Sequence, residues 1–185
     1  MTRSRPAPRH ATLRNVTAHR LRNIARQSLA TAVAGILATI PMSAVMLVAG
    51  ATGRMGTQPP RRVVDEAVDG VPGTEASAAR DAAATFLHFA LGGAMAVGVV
   101  PFRAVIRRVV PRPVDELLAG GVFGGSLYAL NYAGLAPALG VLPPPTEDRP
   151  SRQRTMLVAH LVYGVTVALL VRVLAPSTAR KSVPS

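Results

Sequence analysis

The sequence predicts an all-α integral membrane protein, a bundle of four spanning helices with both termini on the cytoplasmic side. Three observations carry this. Hydrophobic residues make up 49% of the 185 residues and charged residues only 16%, with a positive mean hydropathy of +0.31. The apolar residues are gathered into four blocks, each near the roughly 20 residues that a helix needs to cross a hydrocarbon core of about 30 Å. The basic residues are shared unequally among the segments that join those blocks.

Residues 1–28 read as a basic cytoplasmic tail. Within it Leu13, Val16, Leu21 and Ile24 fall near one helical face and Arg14, Arg22 and Arg26 near the other. That pattern predicts a short interfacial helix lying on anionic lipid headgroups before the first span. The first block, Leu29–Ala51, has no charge. Its Ala49-Gly50-Ala51 end resembles a signal-peptide cleavage site, but the apolar run exceeds the usual signal-peptide core of about 7–15 residues. A retained anchor is expected. Next comes PPRRVVDEAVDG, beginning at Pro59, which reads as a solvated, salt-bridged helix on the outer surface.

The second block, Ala82–Phe102, is interrupted only by His88. The third, Leu117–Leu142, is long enough to tilt, or to break at Pro137. The fourth, Thr155–Val171, is the shortest, and it reaches Ala175 only if Arg172 snorkels to the interface. The predicted spans are thus 29–51, 82–102, 117–142 and 155–175, with 176–185 as a second cytoplasmic tail. A soluble bundle would need charged helix faces at a 3.6-residue period, and these blocks are apolar all round. Strands are disfavoured by the Ala and Leu content and by the block lengths.

Orientation follows from the basic residues, which concentrate in cytoplasmic segments. The N-terminal tail, the second-to-third loop and the C-terminal tail hold fourteen Arg or Lys; the two other loops hold seven, along with seven of the nine acidic residues. This predicts N-in, C-in. Arginine outnumbers lysine twenty to one, which suggests G+C-rich coding and hence a bacterial plasma membrane.

The net charge of +12 is accounted for by anionic lipid as partner. No nucleic-acid motif accompanies it, and with no Trp, four Phe and three Tyr there is no aromatic stacking platform, so nucleic acid is not expected. The absence of cysteine excludes disulfides, iron–sulfur clusters and thiolate metal sites. No spacing of charged residues matches a phosphate, metal or nucleophile motif, so no catalytic residue is expected.

In the third block Gly120, Gly121, Gly124 and Gly125 form two overlapping GxxxG patterns, extended by Ala129. Small residues one turn apart let helix backbones approach closely in lipid. They could serve the bundle itself, a homo-oligomer or a membrane partner. The ionisable residues at membrane depth are His88 and His160, and such residues are functional candidates. In the N-in topology each lies about six residues, or roughly 9 Å, past the outer end of its helix. Asn131, Thr39 and Ser43 lie nearer the midplane, and together these five residues would line a polar cavity open to the outer face. The histidines could relay protons or bind a polar ligand, clamp two helices, or ligate a haem iron. Without carboxylates or cysteines they make a poor divalent-metal site, and no cofactor is expected beyond the haem alternative.

The order of several features resembles a family of uncharacterised small bacterial inner-membrane proteins, the YagU-type proteins. These features are Pro59-Pro60, His88-Phe89, Gly120-Gly121-Val122-Phe123-Gly124, Pro137-Ala138-Leu139-Gly140 and His160, within residues 29–172. The resemblance implies a four-helix inner-membrane protein with a histidine in the second and fourth spans, and it implies no activity. Typical members are richer in tryptophan, which this chain lacks, so a sister family stays open.

Overall fold

A computed structural model of the protein describes residues 9–56, 58–69, 77–112 and 114–175; the side chains of residues 9–17 and 19, Arg14 among them, and the tail 176–185 lie outside that description. Among the described residues every regular element is helical. The order is α1 (Arg9–Ala51), α2 (Pro59–Val68), α3 (Ser77–Met95), a 3-10 turn (Ala96–Gly98), α4 (Val99–Ile106), α5 (Val114–Leu127), a π-helical stretch (Tyr128–Leu135), α6 (Ala136–Ala138) and α7 (Pro150–Leu174). Three helical segments are long and apolar enough to cross a bilayer: Arg20–Ala51, Ser77–Ile106 and Pro150–Leu174. This is the build of a membrane protein.

The first helix runs without a break through the region expected to fold as a separate interfacial helix. No Gly or Pro occurs between Arg9 and Gly35, so nothing in the backbone ends the helix there. Arg22 and Arg26 are exposed along it. It ends in a turn at Gly53, whose φ of 69° suits glycine, with the Arg54 amide donating to the Ala49 carbonyl at 2.9 Å. The predicted outer-surface helix is α2, which opens on Pro59-Pro60, where the missing N–H groups have no helical partner to lose.

The relative strength of the last two blocks is the reverse of expectation. The fourth block is no short span: α7 begins at Pro150, gains a polar first turn and extends for 25 residues. The third block is the irregular one. Its helix stops at Ala138 rather than Leu142, and Gly140 turns the chain away with φ of 73°. Proline removes an amide donor and crowds the carbonyl four residues before it. Ahead of Pro137 the helix widens, and the Ala136 amide reaches back five residues to the Asn131 carbonyl.

α7 packs along both α5 and α1, while α3 lies against α1 and carries α2 at its N-terminal end. Glycine sets the closest crossings. A Cβ on Gly120 would stand 2.6 Å from the Gly164 carbonyl oxygen, and one on Gly124 would collide with the His160 carbonyl. These contacts bring the backbones of α5 and α7 together. By contrast, a Cβ on Gly121 or Gly125 would meet nothing within 4 Å, and Ala129 is exposed. The predicted glycine stripe is therefore two faces of one helix, one closed on α7 and one open.

Candidate functional site: a histidine- and methionine-lined cavity

A cavity of about 360 Å³ lies between α1, α2, α3, the π-helical stretch and α7. Four of the five residues expected to share a cavity are on its wall: His88, His160, Asn131 and Thr39. Ser43 is half-buried on α1 and does not line it. The wall is also less polar than expected. Most of it is leucine, methionine, valine and proline, including Met42, Met46, Met95 and Met156, with Pro59, Pro60 and Val63 of α2 forming one side. The polar residues of these helices are too few to cover a surface to which so many elements contribute.

Most wall hydroxyls are already engaged. Thr39 donates to the Gly35 carbonyl one turn back, at 2.9 Å. Tyr163 donates to the Gly92 carbonyl across the bundle, and Tyr132 to the buried carboxylate of Asp148. The imidazoles are the exception. His160 is only 6% exposed, and its Nδ1 sits 2.7 Å from the Met156 carbonyl. A carbonyl only accepts, so Nδ1 carries the proton and Nε2 keeps its lone pair. The His88 Nε2 is buried with no hydrogen-bond partner, a condition that calls for an explanation in a folded protein. The side chain of Asn131 makes no hydrogen bond among the described residues. Local sequence produces this arrangement. His160 is one turn beyond Met156, whose carbonyl fixes the ring, and its ring stands nearly perpendicular to that of Tyr128 with centroids 6.0 Å apart. Tyr128 in turn stacks on Tyr132, one turn along the π-helical stretch, at 5.1 Å.

Two largely buried charge clusters lie in the bundle, one against the cavity wall at Tyr132 and one joining α4 to α5 outside the cavity lining. In the first, Tyr132 binds Asp148, which also faces Arg152 at 3.4 Å and accepts the Arg149 amide at 2.7 Å. In the second, Arg103 grips Glu116 with two bonds of 2.7 and 3.0 Å, Arg107 joins the same carboxylate, and Asp115 lies 3.4 Å from Arg107. Glu116 and Asp115 are each 1% exposed. In the sequence Arg103 and Arg107 stand out only as cytoplasmic charge and Asp148 only as a loop carboxylate, and nothing pairs them with partners. The available signal was an acidic pair facing an arginine pair across a short proline-rich turn.

α2 is fastened over its side of the cavity by ion pairs. Arg61 bonds Asp65 at 2.8 Å and also reaches Asp81 of α3, while Arg80 of α3 reaches Asp65 at 3.3 Å. The hydrogen bond from Arg61 holds the Asp65 carboxyl below its ordinary range.

No curated protein and no solved structure matches the chain. Residues 25–182 match a family described as a family of unknown function, DUF6789. That stretch is most of the chain and includes His88 and His160, so the chain belongs to the DUF6789 family.

Proposed function

We propose that this is a four-span protein of the bacterial plasma membrane, N-in and C-in, that holds a small ligand in an outer-side cavity for transport or sensing. The third span of this reading is the continuous helical run from Val114 to Ala138, about 37 Å at helical rise and long enough to cross. The arginine-rich tail and second-to-third loop support the orientation. In it, Arg22 and Arg26, with Arg14, meet lipid headgroups. The likeness to the YagU-type proteins belongs to the same proposal.

The observation that carries it is the pair of imidazoles on the wall of one mostly apolar cavity, each with an unengaged ring nitrogen. Apolar walls with a few convergent polar groups are the usual make-up of ligand sites. The test is uptake of N-phenyl-1-naphthylamine, an apolar fluorophore with one hydrogen-bonding amine, by the purified full-length protein in detergent. Saturable fluorescence enhancement that weakens in His88→Phe and His160→Phe is expected. Enhancement that is absent, or indifferent to both substitutions, overturns the reading.

A second reading has its own observation. The open face of Gly121, Gly125 and Ala129 would suit a structural subunit docking another membrane helix or a second copy. Crosslinking in native membranes that survives Gly121→Leu and Gly125→Leu would remove it. The haem alternative has no support beyond the two histidines, and a purified protein without a Soret band would exclude it.

A further inference from the structure

We infer that the cavity is a site for a soft monovalent metal ion, Cu(I) or its analogue Ag(I), held by imidazole and thioether donors. This rests on the cavity reading above and names its ligand. Of the six methionines in the chain, four (Met42, Met46, Met95 and Met156) line this one cavity together with His88 and His160. They come from three helices. Met42 and Met46 are one turn apart on α1, Met95 is two turns below His88 on α3, and Met156 is one turn before His160 on α7.

Donor chemistry selects the ion. Thioether sulfur is a soft ligand that favours Cu(I), and imidazole also suits copper. Divalent zinc, calcium or magnesium would call for carboxylates or thiolates. The wall carries none, and the chain has no cysteine. A neutral donor set in apolar surroundings leaves the charge of the ion uncompensated, which penalises a divalent ion far more than a monovalent one.

Ring geometry points the same way. Metal-bound histidines characteristically donate the second ring N–H to a carbonyl or carboxylate, which fixes the tautomer and frees the other nitrogen. His160 has this arrangement through the Met156 carbonyl. A metal ion would also engage the buried Nε2 of His88, which nothing in the protein satisfies.

The test is Cu(I) titration of the purified full-length protein against a competing bicinchoninate chelator, with N-phenyl-1-naphthylamine uptake measured in parallel. One Cu(I) per chain is expected, with a copper-edge absorption spectrum containing both sulfur and nitrogen neighbours. Replacing Met42, Met46, Met95 and Met156 together by leucine keeps wall volume and should weaken Cu(I) roughly tenfold or more while leaving fluorophore uptake in place. His160→Gln should weaken it likewise. Fluorophore uptake without Cu(I) binding overturns the metal site and leaves the cavity reading intact; loss of both in the wild type overturns both. Cu(I) binding unchanged in the methionine and His160 variants, or a spectrum without sulfur, also overturns the metal site. Should the four-leucine variant fail to fold, the wild-type spectrum decides alone.

Discussion

At the residue scale, neighbouring glycines that look equivalent in sequence differ in what surrounds them. Gly120 meets the α7 backbone, and Gly121 meets nothing within 4 Å. Gly120→Ala should destabilise the protein by about 1–3 kcal/mol, because a methyl forced against backbone cannot be relieved by a rotamer change. Gly121→Ala should be neutral, or stabilising by up to about 1 kcal/mol, since alanine is the better helix former. Thermal unfolding in detergent separates the two, and equal midpoints for both variants would contradict the packing described. The GxxxG spacing was legible in the sequence; which of its two faces is closed was not. That depends on the rotation of α5 about its own axis, which is set by what α7 presents, namely Gly164 and the carbonyl of His160.

At the scale of elements, α2 is the part of the cavity wall held by charge. Its fastening depends on Asp65 staying ionised, and the Arg61 hydrogen bond favours that form. A carboxyl depressed in the folded state contributes stability that is present above its unfolded pKa and is lost as pH falls through the lower, folded value. Protection of the α2 amides in hydrogen exchange, corrected for intrinsic rates, should therefore hold from neutral pH down to about 4, near the ordinary carboxylate range, and fall only below it. Asp65→Asn should reduce it already at neutral pH. Protection lost well above pH 4 in the native protein would mean that another group fastens α2. The helix itself, with its Arg61–Asp65 spacing of one turn, could be read directly from PPRRVVDEAVDG. Its position over the cavity could not, because the partners Arg80 and Asp81 lie beyond an intervening stretch of chain with no pattern to fix its path. The cluster of Arg103, Arg107, Asp115 and Glu116 was missed for a related reason. Charges next to an apolar block are usually solvated, and the burial of Arg103, Asp115 and Glu116 depends on α4 and α5 folding back on each other.

At the scale of the whole molecule, the proposed orientation makes a direct prediction. The native chain has no cysteine, so a single one can report which side of the membrane it faces. In intact cells Thr52→Cys, after the first span, should react with a membrane-impermeant maleimide, and Arg108→Cys, in the second-to-third loop, should react only after permeabilisation. The opposite pattern would invert the topology, and labelling of both in intact cells would refute the span count. Such an experiment also tests the depth argument for the histidines, which assumes that α3 and α7 both enter from the outside.

By itself the sequence determined that this chain is helical and built for a bilayer. Lengths of about 20 apolar residues leave the backbone no other way to satisfy its hydrogen bonds in hydrocarbon. It also singled out His88 and His160, since an ionisable group within such a block stands out against its neighbours. Only the tertiary structure decided that both imidazoles lie on one cavity, that four methionines from three helices line it with them, and that the fourth block rather than the third is the regular helix. Those facts depend on helix rotation, on where Pro137 widens the third helix, and on which side chains meet across α1, α3 and α7. A one-dimensional hydropathy pattern carries depth but not azimuth. In this protein, azimuth separates a scattered set of methionines and histidines from a binding site.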